Sequence, residues 1–155
     1  MSDVLRLDAF LPFRLSFTSN LVSDTIAGIY VALFDLRIPE WRLIAVVAEE
    51  EASPLGGATQ QEIGRRTRMD KVTVSRAAIA MVERGLMARV AHPDDKRSHL
   101  LHLTDAGRDL YAQVAPKALE LERRIFARFD AAELAAFTAT LRKIDAAILA
   151  EEQAG

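Results

Sequence analysis

The sequence predicts a mainly α-helical (α+β) chain, with two short helices and a β-hairpin at its centre and a long helix at each end. Three observations predict it. Apolar residues recur at steps of three, four and seven near both ends. Cap and terminator signals bracket two short helical segments in the middle. Between those segments and the C-terminal helices, the stretches LMARVAH and SHLLHLT flank a polar tip, as the arms of a hairpin do.

Each element follows from local chemistry. Leu11, Leu15, Val22, Ile26, Ile29 and Leu33 share one helical face. Pro12 falls in a first turn, where its missing N–H costs nothing, so an amphipathic helix is expected over about 12–35. Pro39 opens a second helix in PEWRLIAVVAEE, with Ile44, Ala45 and Ala48 facing inward, and the SPLGG run at 53–57 ends it. Thr59 and Glu62 have capping-box spacing, in which hydroxyl and carboxylate each satisfy a backbone N–H that the first helical turn leaves over. The short helix so begun turns Ile63 inward and Arg65 and Arg66 outward. Arg68 and Met69 make a tight connection to the next helix, which Asp70 caps and Gly85 terminates in a left-handed conformation. On that helix Val74, Ala77 or Ala78, and Met81 share a face. Lys71, Thr73 and Arg76 fall off it and leave a polar front end exposed. The hairpin follows, with its tip at 93–97. Thr104 caps a helix from Asp105, and Pro116 is expected to bend it by removing one hydrogen bond. Asp130 and Glu133 form another capping box. The last helix then sets Leu134, Phe137, Leu141, Ile144 and Ile148 at steps of three and four, a seam for another helix.

Composition excludes several functions. The 155 residues are half hydrophobic, which suits a packed domain rather than a disordered chain. Cys is absent, so disulfides, thiolate nucleophiles, zinc–cysteine sites and thiol redox sensing are excluded. The longest apolar runs, such as IAVV, fall far short of the roughly 20 residues needed to cross a bilayer. No basic stretch precedes an apolar one at the N-terminus, so a soluble, cytoplasmic protein without membrane association is expected. His99 and His102 point to opposite faces of a strand and His92 lies on the other arm, so no metal site is expected. No nucleophile sits beside a His, and neither enzymatic activity nor a cofactor is expected.

Net charge is −2 overall, yet the chain is segmented by sign. Residues 60–100 hold nine Lys or Arg against five acids, a net of +4, while 1–59 carry −4 and 101–155 carry −2. A basic centre between acidic ends is what a phosphate-binding module on an acidic scaffold shows.

Two short helices joined by a tight turn, followed by a hairpin with a basic tip, describe a winged helix-turn-helix lobe. In such a lobe the second helix presents its front end to base edges in the major groove, while the first crosses the backbone. Side-chain chemistry then divides the roles. Arg76 can bind guanine bidentately, Thr73 can offer a base its hydroxyl or thymine its methyl, and Val72 can add apolar contact. Lys71, Ser75, Arg65, Arg66 and Arg68 suit phosphates, which set register without reading sequence. At the tip, Lys96 extends the basic surface and Arg97 suits a narrow A·T-rich minor groove. Asp95 either orients the Arg97 guanidinium by a bidentate pair or simply holds the hairpin, and the two roles are compatible.

The order PEWR, TQQEIGRRTRMDKVTVSR, MVERGL and HPDDKRSHLLHLTDAG resembles the multiple-antibiotic-resistance regulator (MarR) family of bacterial transcription factors over nearly the whole chain. The most diagnostic part is Asp95-Lys96-Arg97-Ser98 leading to Leu103-Thr104 and Gly107. The resemblance implies a homodimer with interlocked terminal helices (1–36 and 105–155), two winged lobes (37–104) on a pseudo-palindromic double-stranded operator, and repression of its own or a neighbouring operon. It also implies relief by a small aromatic acid or its thioester. Candidates for that effector are Arg14, to pair with a carboxylate, Trp41, to stack on an aromatic ring, and Phe13, Phe17 and Tyr30 as lining. Core packing of the same aromatic residues is the competing expectation. The rival function is a protein-interaction module that uses the winged lobe as a scaffold without reading DNA sequence.

Overall fold

The structure, a computed structural model, describes residues 4–155. A single 3-10 turn at Leu7–Ala9 leads into α1 (Leu11–Phe34), α2 (Ile38–Glu50), α3 (Gln60–Thr67) and α4 (Lys71–Glu83). The hairpin β1 (Met87–Ala91) and β2 (His99–Leu103) follows, then α5 (Asp105–Ile125) and α6 (Ala131–Ala154). The chain divides into two compact units, Met1–Pro116 and Lys117–Gly155, so α5 contributes to both. α5 is one continuous helix through Pro116.

The local signals act where the sequence puts them. Thr59 and Glu62 close their capping box, with the Glu62 N–H on the Thr59 hydroxyl at 3.1 Å and the Thr59 N–H on the Glu62 carboxylate at 2.9 Å. Asp130 and Glu133 repeat it at 2.8 and 2.9 Å. Gly85 takes a φ of +70°, the left-handed stop expected after α4. The Thr104 hydroxyl accepts the Gly107 N–H at 3.1 Å and donates to the Gly85 carbonyl at 2.6 Å, so the cap of α5 also ties that helix to the end of α4. Gly107 is required by close approach: a Cβ there would stand 2.0 Å from the Leu86 carbonyl oxygen.

The core of the first unit is built around α2. Leu43, Ile44, Val46 and Val47 are its buried residues, and the helix packs on α4, β2, α3 and α1. Of the three inward positions expected from the sequence, Ile44 is buried and Ala45 and Ala48 are half-buried. Contact on several sides explains the difference, because a helix surrounded by neighbours buries more than one stripe. Ile63 from α3 and Val74, Ala77, Ala78 and Met81 from α4 complete that core with Leu100, Leu101 and Leu103 from β2. The strands are antiparallel with Met87 opposite Leu103 and Ala91 opposite His99. Ala58 adds a bridge the sequence did not signal. Its N–H meets the Leu101 carbonyl at 3.2 Å, and Leu101 returns the bond at 2.8 Å, which fastens the start of α3 to the hairpin.

The expectation that no segment can span a membrane needs correction. α1 is 24 residues long and, by length and composition, apolar enough to cross one. The property arises because its apolar residues are distributed rather than consecutive. Seven of the ten residues 16–25 are Ser, Thr, Asn or Asp. In hydrocarbon such side chains lack the partners that water supplies. In this chain Tyr30 is the only buried residue of α1, while Leu11, Leu15, Leu21, Val31 and Leu33 are exposed.

Candidate nucleic-acid interface

The front of α4 is the most informative surface. Asp70, in extended backbone conformation, accepts the Thr73 N–H at 2.7 Å on one carboxylate oxygen and the Thr73 hydroxyl at 2.9 Å on the other. These two hydrogen bonds, the backbone one first, hold the Asp70 carboxyl below the usual carboxylate range. The cap fixes what the helix can offer. Lys71, Val72 and Arg76 are exposed and Ser75 is half-buried. Thr73 is half-buried with its hydroxyl hydrogen committed to Asp70, so it has its methyl and an acceptor lone pair left to offer, not a donor. Behind this front, Val74, Ala77, Ala78 and Met81 are buried and hold the helix to the domain.

The connection into α4 is tight because Arg68 adopts a left-handed conformation (φ 59°), which ends α3 within one residue. Arg68 itself is exposed. Two clefts flank the turn. One of about 430 Å³ lies between α3 and α4 and is lined by Gln60, Gln61, Gly64, Arg65, Lys71 and Val74. The other, of about 210 Å³, lies between the start of α3 and the hairpin, where Gln60 and Gln61 meet Arg89, Arg97 and His99. Arg65, Lys71 and Arg97 from the sequence expectation are thus assembled around one stretch of α3. Gln60, Gln61 and Arg89 were not among the expected contact residues. Arg89 had been counted in the basic block, but its place beside Arg97 follows from strand register and from the Ala58 bridge, which sequence spacing does not reveal.

Arg66 departs from its expected role, and Asp95 takes the hairpin-holding one of its two. The Arg66 guanidinium, expected on phosphate, lies between two carboxylates of α2, bonded to Glu50 at 2.9 Å and paired with Glu49. It neutralises acids at a helix C-terminus, where the helix dipole disfavours them. Arg108 from α5 does the same for Glu51 at 2.7 Å. At the hairpin tip, the Asp95 carboxylate accepts the Arg97 backbone N–H at 3.0 Å rather than forming a bidentate pair with its guanidinium. Asp95 also accepts the Ser98 N–H on its carbonyl at 3.1 Å, so it shapes the turn that carries Lys96 and Arg97, both exposed.

The expected effector pocket is not assembled within the chain. Arg14 pairs with Asp8 at 3.1 Å and lies 5.4 Å from the Phe17 ring, which tilts against Phe13. Tyr30 is sixteen residues further along the same helix, about 24 Å away at 1.5 Å per residue. There Tyr30 meets Trp41 edge-on at 5.9 Å, and Trp41 stacks on Tyr111 at 5.7 Å. Tyr111 occupies one face of the Trp41 ring, which was expected to stack on a ligand. Burial pushes the Tyr30 hydroxyl above the usual phenol range. Among the described residues no group of three or more His, Asp or Glu is placed to hold a metal.

The sequence over residues 34–98 matches the model of a family described as the MarR family. An uncharacterized protein of Mycobacterium tuberculosis, Rv2011c, is 30% identical over 111 residues, covering 72% of this chain and 73% of that one. A MarR/EmrR family transcriptional regulator from Acinetobacter sp. ADP1 is 25% identical, with a TM-score of 0.82 over 93% of this chain and 98% of that one. Two more distant structures share the fold. Sco3205 from Streptomyces coelicolor, solved with DNA, is 20% identical with a TM-score of 0.80 over 94% and 90%. CouR from Rhodococcus jostii RHA1, solved with p-coumaroyl-CoA, is 21% identical with a TM-score of 0.77 over 91% and 95%.

Proposed function

This chain belongs to the MarR family of transcriptional regulators, and from that premise we propose that it reads double-stranded DNA as a homodimer on an inverted-repeat operator. The observation that carries the proposal is the front of α4, where Lys71, Val72 and Arg76 stand exposed on a helix whose remaining length is anchored in the core. Arg76 reads a guanine, Val72 and the Thr73 methyl meet a thymine methyl, and the Ser75 hydroxyl joins the phosphate contacts. Lys71, Arg65 and Arg68 bind phosphate on one side and Lys96 and Arg97 reach the neighbouring groove on the other. Arg89 and the Gln60–Gln61 pair extend that phosphate surface between the helix and the wing. Arg66 is left out, since Glu49 and Glu50 already hold it.

The exposed apolar side chains on α1, and separately those on α6, supply the reason for a dimer, because apolar helix faces tend to be covered by a partner. On this reading residues 1–36 and 105–155 serve dimerisation and 37–104 form the DNA-binding lobe, in a cytoplasmic protein whose α1 is an interface helix. Twofold symmetry places the two α4 tips about one DNA turn apart. Repression of its own or a neighbouring operon, relieved by a small aromatic acid or thioester, completes the proposal. Its support is the fold shared with a protein bound to p-coumaroyl-CoA.

A salt titration of binding to a duplex recovered by selection from random sequences tests the reading. With about eight phosphate contacts in a dimer, log affinity is expected to fall by about 7 per log unit of salt, and a flat dependence overturns it. Arg76→Ala is expected to relax selectivity at one base pair by about 1–3 kcal/mol, and Arg97→Ala to weaken binding on all sequences. Unchanged binding in both variants would favour the protein-interaction module instead.

A further inference from the structure

We infer that Arg84 is a positioning residue that fixes the angle of α4 relative to α1 and thereby sets the half-site spacing the dimer accepts; the inference rests on the DNA-binding reading above. Arg84 sits at the C-terminal end of α4, and its side chain crosses to the C-terminal end of α1, fifty residues away in sequence. There its guanidinium donates to the Asp35 carbonyl at 2.7 Å and approaches the Phe34 carbonyl at 3.4 Å. Those carbonyls are available because α1 stops abruptly. Asp35 takes a left-handed conformation (φ 50°), its N–H closes back on the last turn, and the carbonyls beyond have no helical partner. Two helix C-termini, each carrying partial negative charge, are brought together at this point, and one cation serves both.

Apart from Arg84, the two helices are linked mainly through α2, on which both pack. α4 packs mainly on α2, α3 and β1, and α1 packs on α2. Among the described residues, Arg84 alone makes a side-chain hydrogen bond between the α4 end of the lobe and the α1 end. Leu36, fully buried just after Asp35, anchors the same turn from the other side. The leverage is large. Lys71 lies thirteen residues from Arg84, about 20 Å along the helix, so a tilt of about 10° about the Arg84 end moves the DNA-facing tip by roughly 3.5 Å, the rise of one base pair. A planar fork gripping neighbouring carbonyls resists such a tilt, whereas a single ammonium does not.

The test uses the full-length protein and a set of duplexes in which a selected half-site is repeated at spacings changed by one base pair either way. Wild-type protein is expected to lose on the order of tenfold in affinity for each base pair of altered spacing, the cost of a misplaced contact. Arg84→Met is expected to keep its affinity for an isolated half-site and its thermal midpoint within a few degrees, while its preference among spacings flattens to about threefold or less. Arg84→Lys, which keeps the charge and loses the fork, gives the same flattening and serves if the Met variant does not fold. A cap that merely stabilises α1 would lower the thermal midpoint and leave the spacing profile sharp. A sharp profile shared by wild type and both variants overturns the inference alone. A wild-type protein that binds no duplex overturns the regulator reading, and this inference with it.

Discussion

The central lobe and the terminal segments are both rich in apolar residues, and they use them differently. Among the described residues, sixteen of the nineteen buried hydrophobic side chains lie between Leu36 and Leu103. Of the eighteen large hydrophobic side chains left exposed, fifteen lie outside that span, on the N-terminal segment and α1 or from Leu119 onward. The lobe therefore closes its own core, whereas the ends present apolar surface that the chain does not cover. One region buries its own apolar side chains, and the other leaves them exposed on the single chain. The same division runs through the polar groups. In the lobe, carboxylates cap helices or hold arginines, while the cations at the α4 front and at the wing tip are left facing out.

The largest effect that would break this contrast comes from charging the terminal face. Leu15 and Leu33 lie eighteen residues apart, five full helical turns, so they share one side of α1, and both are exposed. Leu15→Glu with Leu33→Glu puts four carboxylates into a twofold interface, each costing several kcal/mol if it stays ionised and unpaired. The expected result in analytical ultracentrifugation is a monomer at concentrations where wild type is a dimer, with operator binding lost. If the mass is unchanged, α1 is not the covered surface. The next effect belongs to the lobe. Leu43 is fully buried on the central helix, so Leu43→Ala is expected to cost about 2–5 kcal/mol in denaturant unfolding, with little influence on the mass of the protein that remains folded. A cost under about 1 kcal/mol would mean that the lobe core is looser than its burial implies.

The smallest effect sharpens the contrast within α4. The Asp70 carboxyl is held below its unfolded value, so its contribution to the start of α4 is fully present above the unfolded carboxylate pKa, about 3.9, and is lost as pH falls through the lower folded value. Protection of the Thr73 amide, relative to its intrinsic exchange rate, is expected to fall over that acid range while amides near Met81 stay protected. Asp70→Asn, which still accepts the hydrogen bond, is expected to remove the pH dependence. Thr73 protection that stays constant with pH in the wild type would show that the cap does not control the front of the helix.

Much of the fold was legible beforehand because it is written in short-range chemistry. The capping boxes at Thr59 and Asp130, the cap at Asp70 and the left-handed stop at Gly85 each involve residues three or four apart, whose geometry is the same in any helix. The exposed front of α4 followed from the same periodicity. Pro116 was expected inside a helix that passes through it, and α5 does run on through it. One missing hydrogen bond does not end a helix that its neighbouring turns support.

What the sequence determined by itself was therefore the set of elements, their ends and the side of each that is polar, since these depend on backbone bonding and on a fixed helical or strand period. Only the tertiary structure decided which distant side chains meet. It gave Arg66 to Glu49 and Glu50, Arg84 to the end of α1, and the Trp41 ring to Tyr111, and it kept Arg14 sixteen residues along α1 from Tyr30 in that ladder. The reason is physical: partners tens of residues apart are chosen by how elements pack, and a charge or ring carries no mark of its partner until packing brings the two within reach.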